Sequence, residues 1–138
     1  MNTLRRICLL ALALISIDAG LAHHSVPVNF DQSRQINVEG ILTEVKWLNP
    51  HSHFRMDVTV EDGSSVEWLV EMGSFNAMKR SGFETHLFDV GTAVTVIGWP
   101  GRRERTVFLN QALVPDGEDV KCVRAPTSQT PSDECGER

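Results

Sequence analysis

Polar and apolar side chains alternate along residues 53–60, which read HFRMDVTV. Every second residue from Phe54 to Val60 is apolar, so one face of this segment is apolar and the other is polar, as in a half-buried strand. Residues 61–63 (EDG) form a hairpin signal, and residues 66–71 (VEWLVE) follow as the return strand. The sequence therefore predicts a pair of antiparallel strands here.

Further elements are predicted on both sides of this hairpin. Residues 36–47 predict a long strand, in which Gly40 indicates a bulge or a sharp bend. Residues 75–80 predict a short helix, and residues 92–99 and 106–114 predict two more strands. Three strands, a helix and two strands follow one another as in the OB-fold. We therefore expect a mainly β protein, a five-stranded OB-like Greek-key barrel with one short helix between strands 3 and 4; a β-sandwich is the alternative.

The N-terminus has the features of a secretory signal peptide. Arg5 and Arg6 give it a positive start, and an apolar run of 11 residues follows at 7–17. A helix that spans a bilayer needs about 20 residues, so we expect cleavage and no retained membrane span, with an uncleaved anchor as the alternative. Cleavage after Ala22 is expected, with Ala19 as the second choice. The protein is then periplasmic or secreted.

The predicted domain boundaries are 1–22 for the signal peptide, 23–117 for the barrel and 118–138 for a loose tail. Of 13 basic and 18 acidic residues, Arg5, Arg6 and Asp18 lie in the signal peptide, which leaves 11 basic and 17 acidic residues and a formal net charge of −6. Nucleic acid is disfavoured as a partner, because phosphate binding needs a basic patch. Cys122 and Cys135 predict a disulfide that ties down the tail, and they lack the spacing of a redox pair.

Two histidine pairs, His23-His24 and His51-x-His53, predict a metal site. After cleavage at Ala22, the amine and imidazole nitrogens of His23 can chelate one ion, which favours copper, with zinc as the second choice. His51 and His53 point to the same face of a strand, where Asp57 can accept an imidazole N–H. The alternative is that all these histidines are solvated polar surface.

Three sequence blocks resemble a family of small exported bacterial proteins of unknown function. The blocks are Ala22-His23-His24-Ser25, Trp47-Leu48-Asn49-Pro50-His51, and Trp68-Leu69-Val70-Glu71-Met72-Gly73-Ser74 followed by Asn76. The resemblance implies that the positions to watch are His23, His24, Asn49, His51, Glu71 and Asn76. It implies no activity, and at His53 this chain departs from the aromatic or aliphatic residue usual in the family.

Two functions follow from these observations. The first is an exported metal-binding protein, with copper held through an N-terminal histidine, that acts as a carrier, chaperone or sensor component. The second is a non-enzymatic OB-type module that binds a peptide, an oligosaccharide or an envelope protein. The chain has no Ser-His-Asp order and no glycine-rich phosphate loop. An oxidative copper enzyme, in which an N-terminal histidine forms part of the centre, is a third alternative that ranks below these two, because a set of metal ligands alone does not specify a reaction.

Overall fold

The computed structural model describes residues 25–126. The elements of this part of the chain are helix α1 (Ser25–Asn29), strands β1 (Ile36–Lys46), β2 (His53–Thr59) and β3 (Ser65–Glu71), helix α2 (Phe75–Arg80), a 3-10 turn (Thr85–Leu87), and strands β4 (Ala93–Pro100), β5 (Thr106–Asp116) and β6 (Asp119–Arg124). No helix between residues 25 and 126 has the length and apolar character needed to span a bilayer.

The first five strands close into a barrel. The strand order is β3-β2-β1-β4-β5-β6, and β3 also pairs in parallel with β5, from Leu69 opposite Thr106 to Glu71 opposite Phe108. Helix α2 lies between β3 and β4 in the chain, which is the connectivity of the OB-fold. The prediction of a mainly β, OB-like barrel is therefore confirmed. Strand β6 pairs with β5 outside the closed ring.

Strand β1 bends around the barrel in two ways. A bulge interrupts its pairing with β2 between Leu42 and Glu44. Gly40 lets the two strands come close, because a Cβ at this position would overlap the Asp57 carbonyl oxygen and the Met56 side chain. At Gly40 itself the structure thus has a close approach of β1 to β2, and the bulge lies further along β1, between Leu42 and Glu44.

The core is apolar and fills the barrel. Phe54, Met56 and Val70 from β2 and β3 are fully buried, as are Met72 and Met78 beside and on α2. The three methionines therefore fill the core and take no part in a surface site. Ser74 caps α2 as its sequence position predicts, with its side chain accepting a hydrogen bond from the Ala77 N–H.

Residues 119–124 form a strand where the sequence predicted a loose tail. Gly117 has a φ of 67° in the turn that joins β5 to β6. Val123 is buried, and Lys121 forms an ion pair with Glu84 at 2.7 Å, which together hold β6 against the barrel. Cys122 is disulfide-bonded, and Cys135 lies outside the described residues.

Candidate functional site

The β1–β2 loop, residues 47–52, is fixed by hydrogen bonds to the segment that leads into α2. Ser52 is buried, and its backbone N–H donates to the Gly73 carbonyl at 3.0 Å while its carbonyl accepts from the Met72 N–H at 3.0 Å. Its hydroxyl donates to the Leu48 carbonyl at 3.0 Å. The Leu48 carbonyl also accepts from the Phe75 N–H at 2.9 Å. The loop therefore has one defined shape at the end of the barrel.

Asn49 connects this loop to the start of helix α2. Its Oδ1 accepts a hydrogen bond from the Asn76 backbone N–H at 3.0 Å. The first N–H groups of a helix have no partner within the helix, so a side-chain oxygen that accepts from one of them stabilises the helix end. Asn49 and Ser74 thus cap the same helix end, and both motif positions have a role in folding.

We expect Asn49→Ala to lower the free energy of unfolding by about 1–2 kcal/mol, because the Asn76 N–H loses its acceptor. Asn49→Asp is the control, since it keeps an oxygen at the same place. Urea unfolding measures both. An alanine variant as stable as the parent would show that the bond contributes nothing.

Trp47, which is half-buried, and Trp99, which is buried, pack against other aromatic rings. The Trp47 ring centroid lies 6.0 Å from that of Phe54 and 6.1 Å from that of Phe88. Trp99 is buried and stacks on Phe108 at 5.9 Å. Aromatic neighbours from other parts of the chain therefore surround both tryptophans.

A groove of about 320 Å³ opens on the outer face of β2 and β3 beside this loop. We call it the His51 groove, and its lining residues are His51, Ser52, His53, Arg55, Leu69 and Glu71. His51 is exposed, and His53 lies directly across from Glu71 in the β2–β3 pairing. His51, His53 and Glu71 therefore line one groove, but His51 lies in the β1–β2 loop, so the shared strand face predicted for His51 and His53 is not what brings them together.

Charged side chains border this groove on β1 and β3. Glu44 Oε1 lies 3.7 Å from His53 Nε2 and 3.5 Å from Arg55 Nε, and Arg55 also pairs with Glu67. The hydrogen bond from Lys46 lowers the pKa of the Glu44 carboxyl, and the positive charges of Lys46 and Arg55 add to this effect. The acidic neighbour of His53 is thus Glu44. Asp57, predicted for that role, lies further along β2 and lines a different cavity.

The described part of the chain does not by itself form a metal site. Between residues 25 and 126, no three or more His, Cys, Asp or Glu side chains are arranged to hold a metal ion. Of the four predicted ligands, His51 and His53 line one groove. His23 and His24 lie outside the described residues.

The segment that follows these two histidines is fixed to the β4–β5 loop, residues 101–105. The Arg102 backbone N–H donates to the Asn29 carbonyl at 2.8 Å, and Arg102 Nε donates to the Val28 carbonyl at 2.7 Å. In the same loop, the Arg105 carbonyl accepts from the Leu69 N–H at 2.9 Å. One short loop therefore contacts both α1 and a residue of the His51 groove.

Comparison with known protein families gives one assignment. The model of the family of unknown function DUF6152 matches residues 11–110. The chain belongs to this family. The match to DUF6152 spans both histidine pairs and the three sequence blocks, and it confirms the resemblance to a family without an assigned function.

Comparison with individual proteins adds only distant similarities. No curated protein matches this DUF6152 chain. Among solved structures, the N-terminal domain of PriB from Thermoanaerobacter tencongensis, described as dimeric, is 16% identical, with a TM-score of 0.46 over 62% of this chain and 100% of that chain. TiaS in complex with agmatine is 17% identical, with a TM-score of 0.49 over 71% of this chain and 28% of that chain. At such identities and scores, neither structure informs on the ligand of the DUF6152 protein.

Proposed function

We propose that this DUF6152 protein is a small exported metal-binding protein that binds copper at the His51 groove, with zinc as the second choice of metal. The observation that carries the proposal is that His51 and His53, predicted as ligands from their spacing, line one groove. That groove lies on β2 and β3 beside the β1–β2 loop, which is the surface where OB-folds bind their ligands. Imidazole nitrogens are good ligands for both metals.

His51 differs from Trp47 and Asn49 of its sequence block, whose side chains support the fold. Trp47 packs among aromatic rings, and Asn49 caps a helix. The His51 side chain is exposed, and residues 25–126 offer it no hydrogen-bond or ion-pair partner. An imidazole held on a rigid loop with both nitrogens free is suited to bind a ligand from solution.

The remaining ligands in this proposal come from the mature N-terminus. Arg102 fixes the end of α1 to the β4–β5 loop, which is bonded to Leu69 of the groove. His23 stands two residues before Ser25 in the sequence, and the titration below tests whether it shares a site with His51.

The chemistry of these groups favours Cu(II). The α-amino group and the imidazole of His23 form a chelate, His51 supplies a third nitrogen, and His24 and His53 are further donors. Nitrogen ligands suit copper, which binds most tightly among the divalent first-row metals. The proposed role is that of a carrier, a chaperone or a component of a sensor, and no reaction is assigned.

A second candidate is a non-enzymatic module that binds a peptide, an oligosaccharide or an envelope protein in the same groove. It is favoured by the mixed lining, in which Leu69 offers apolar surface while Arg55 and Glu71 offer both signs of charge. In this case the histidines contact the ligand without a metal.

A Cu(II) titration of protein produced by export, so that its processed N-terminus is kept, separates the two candidates. We expect one-to-one binding that is weakened at least tenfold, or about 1.4 kcal/mol, by His51→Ala and by one extra residue ahead of His23. His86→Ala is the matched control, because His86 is also exposed and lies outside the groove. Electron paramagnetic resonance of the parent should show nitrogen ligands.

Equal, weak binding in the parent, the extended protein and both alanine variants would contradict the copper proposal. The groove would then be assigned to the second candidate, for which His51→Ala is the variant to compare in screens of peptides and oligosaccharides.

A further inference from the structure

We propose that a second groove, which crosses the sheet from β2 to β6, docks an extended peptide segment that has basic residues at one end and aliphatic residues at the other. This outer groove has a volume of about 630 Å³ and crosses five strands. The residues that carry the proposal are Glu39, Ile41, Asp57, Leu113 and Val120. It shares no lining residue with the His51 groove and does not depend on the metal proposal.

Aliphatic side chains form one end of the outer groove. Leu113 on β5 is half-buried, and Val120 on β6 is 57% exposed. Pro115, which is directly opposite Val120 in the β5–β6 pairing, is exposed beside them. Ile41, in the middle of the groove on β1, is 46% exposed. Burial of large apolar side chains by a partner on a concave surface removes them from water, which lowers the free energy of the complex.

Acidic side chains form the other end. Glu39 on β1 and Asp57 on β2 are exposed. Within residues 25–126, they are the charged residues that line the groove. No lysine or arginine of that part of the chain lines it. A partner therefore needs basic groups at the β2 end, where charge complementarity favours them and disfavours acidic peptides.

The strand register sets the length of the partner. Asp57 lies opposite Ile41, Ile41 opposite Ala93, and Pro115 opposite Val120, so the groove runs across the sheet from β2 to β6. Neighbouring strands are about 4.8 Å apart, so the four steps from β2 to β6 cover roughly 19 Å. An extended peptide spans that distance with about six residues.

The test uses a fluorescein-labelled heptapeptide in which three lysines precede four valine or leucine residues. Its binding to the full mature chain is measured by fluorescence anisotropy. We expect saturable binding that weakens at least fivefold in Val120→Asp and in Glu39→Lys. The matched controls are Val90→Asp and Glu118→Lys. Val90 is 67% exposed outside the groove, and Glu118 is exposed and does not line it. Higher salt should weaken binding to the parent.

Three results would overturn the proposal. The first is the absence of saturable binding, or equal losses in the groove variants and their controls. The second is equal binding of a peptide in which glutamates replace the lysines. The third is a dimer in sedimentation velocity that Val120→Asp dissociates, which would assign the groove to a second copy of the chain. Because Glu39→Lys leaves the apolar end unchanged, it tests the groove even if Val120→Asp disturbs β6.

Discussion

Replacement of Gly98 by alanine is expected to lower the free energy of unfolding by about 3 kcal/mol or more, at the upper end of what overpacking costs. A Cβ at this position would overlap the Phe108 carbonyl oxygen and lie 3.0 Å from Val107 Cγ2. Gly98 follows an irregularity in the β4–β5 pairing, between Ile97 and Gly98. The clash is with the backbone, so it cannot be relieved by a change of rotamer. The strands would have to separate.

Gly73→Ala is the matched control for this change. A Cβ at Gly73 has no heavy atom within 4 Å, and Gly73 is not among the glycines with positive φ. Its effect should stay within about 0.5 kcal/mol. Urea unfolding followed by far-UV circular dichroism measures both variants. Equal stabilities for the two variants would mean that β4 and β5 do not approach as closely as the structure describes.

The second large effect is expected from Phe88→Ala, which should cost about 3–5 kcal/mol, the usual range for a buried phenylalanine. Phe88 is 1% exposed, and its ring centroid lies 5.4 Å from that of Phe54 and 5.1 Å from that of Phe83. It also meets the edge of Trp47 at 6.1 Å. Removal of this ring leaves a cavity between rings that come from separate segments, and the barrel cannot close around all of them.

Phe75→Ala is the corresponding control. Phe75 is half-buried, and its ring lies 6.0 Å from Trp47 at the edge of the same cluster. Water can enter the space that it leaves, so we expect less than half the loss caused by Phe88→Ala. Guanidinium unfolding followed by tryptophan fluorescence compares the two. If Phe75→Ala costs as much as Phe88→Ala, the cluster is not centred on Phe88.

Much of the fold could be predicted because its strands have a clear apolar face. The alternation from Phe54 to Val60 and the turn at Gly63 place β2 and β3 correctly in the sequence. Strand β6 was missed because half of residues 119–124 (DVKCVR) are charged and a polar stretch follows them in the sequence. Its formation depends on pairing with β5 and on the contact of Lys121 with Glu84, which are tertiary interactions.

The candidate site was predictable only where its residues are close in sequence. His51 and His53 line one groove, although only His53 belongs to β2 and His51 lies in the loop before it. Glu71 joins them because it pairs with His53 across the β2–β3 register. The acidic neighbour of His53 was misassigned to Asp57, because the bulge in β1 places Glu44 opposite Arg55. A single sequence gives no indication of such a shift.

The backbone of the β1–β2 loop is held independently of the imidazoles that line the His51 groove. Its hydrogen bonds come mainly from Ser52 and Leu48, and the side chains of His51 and His53 take no part in them. A substitution at position 51 or 53 therefore changes the lining of the groove while the loop keeps its shape. The binding chemistry of the groove and the stability of the loop that carries it are thus separate properties of this chain.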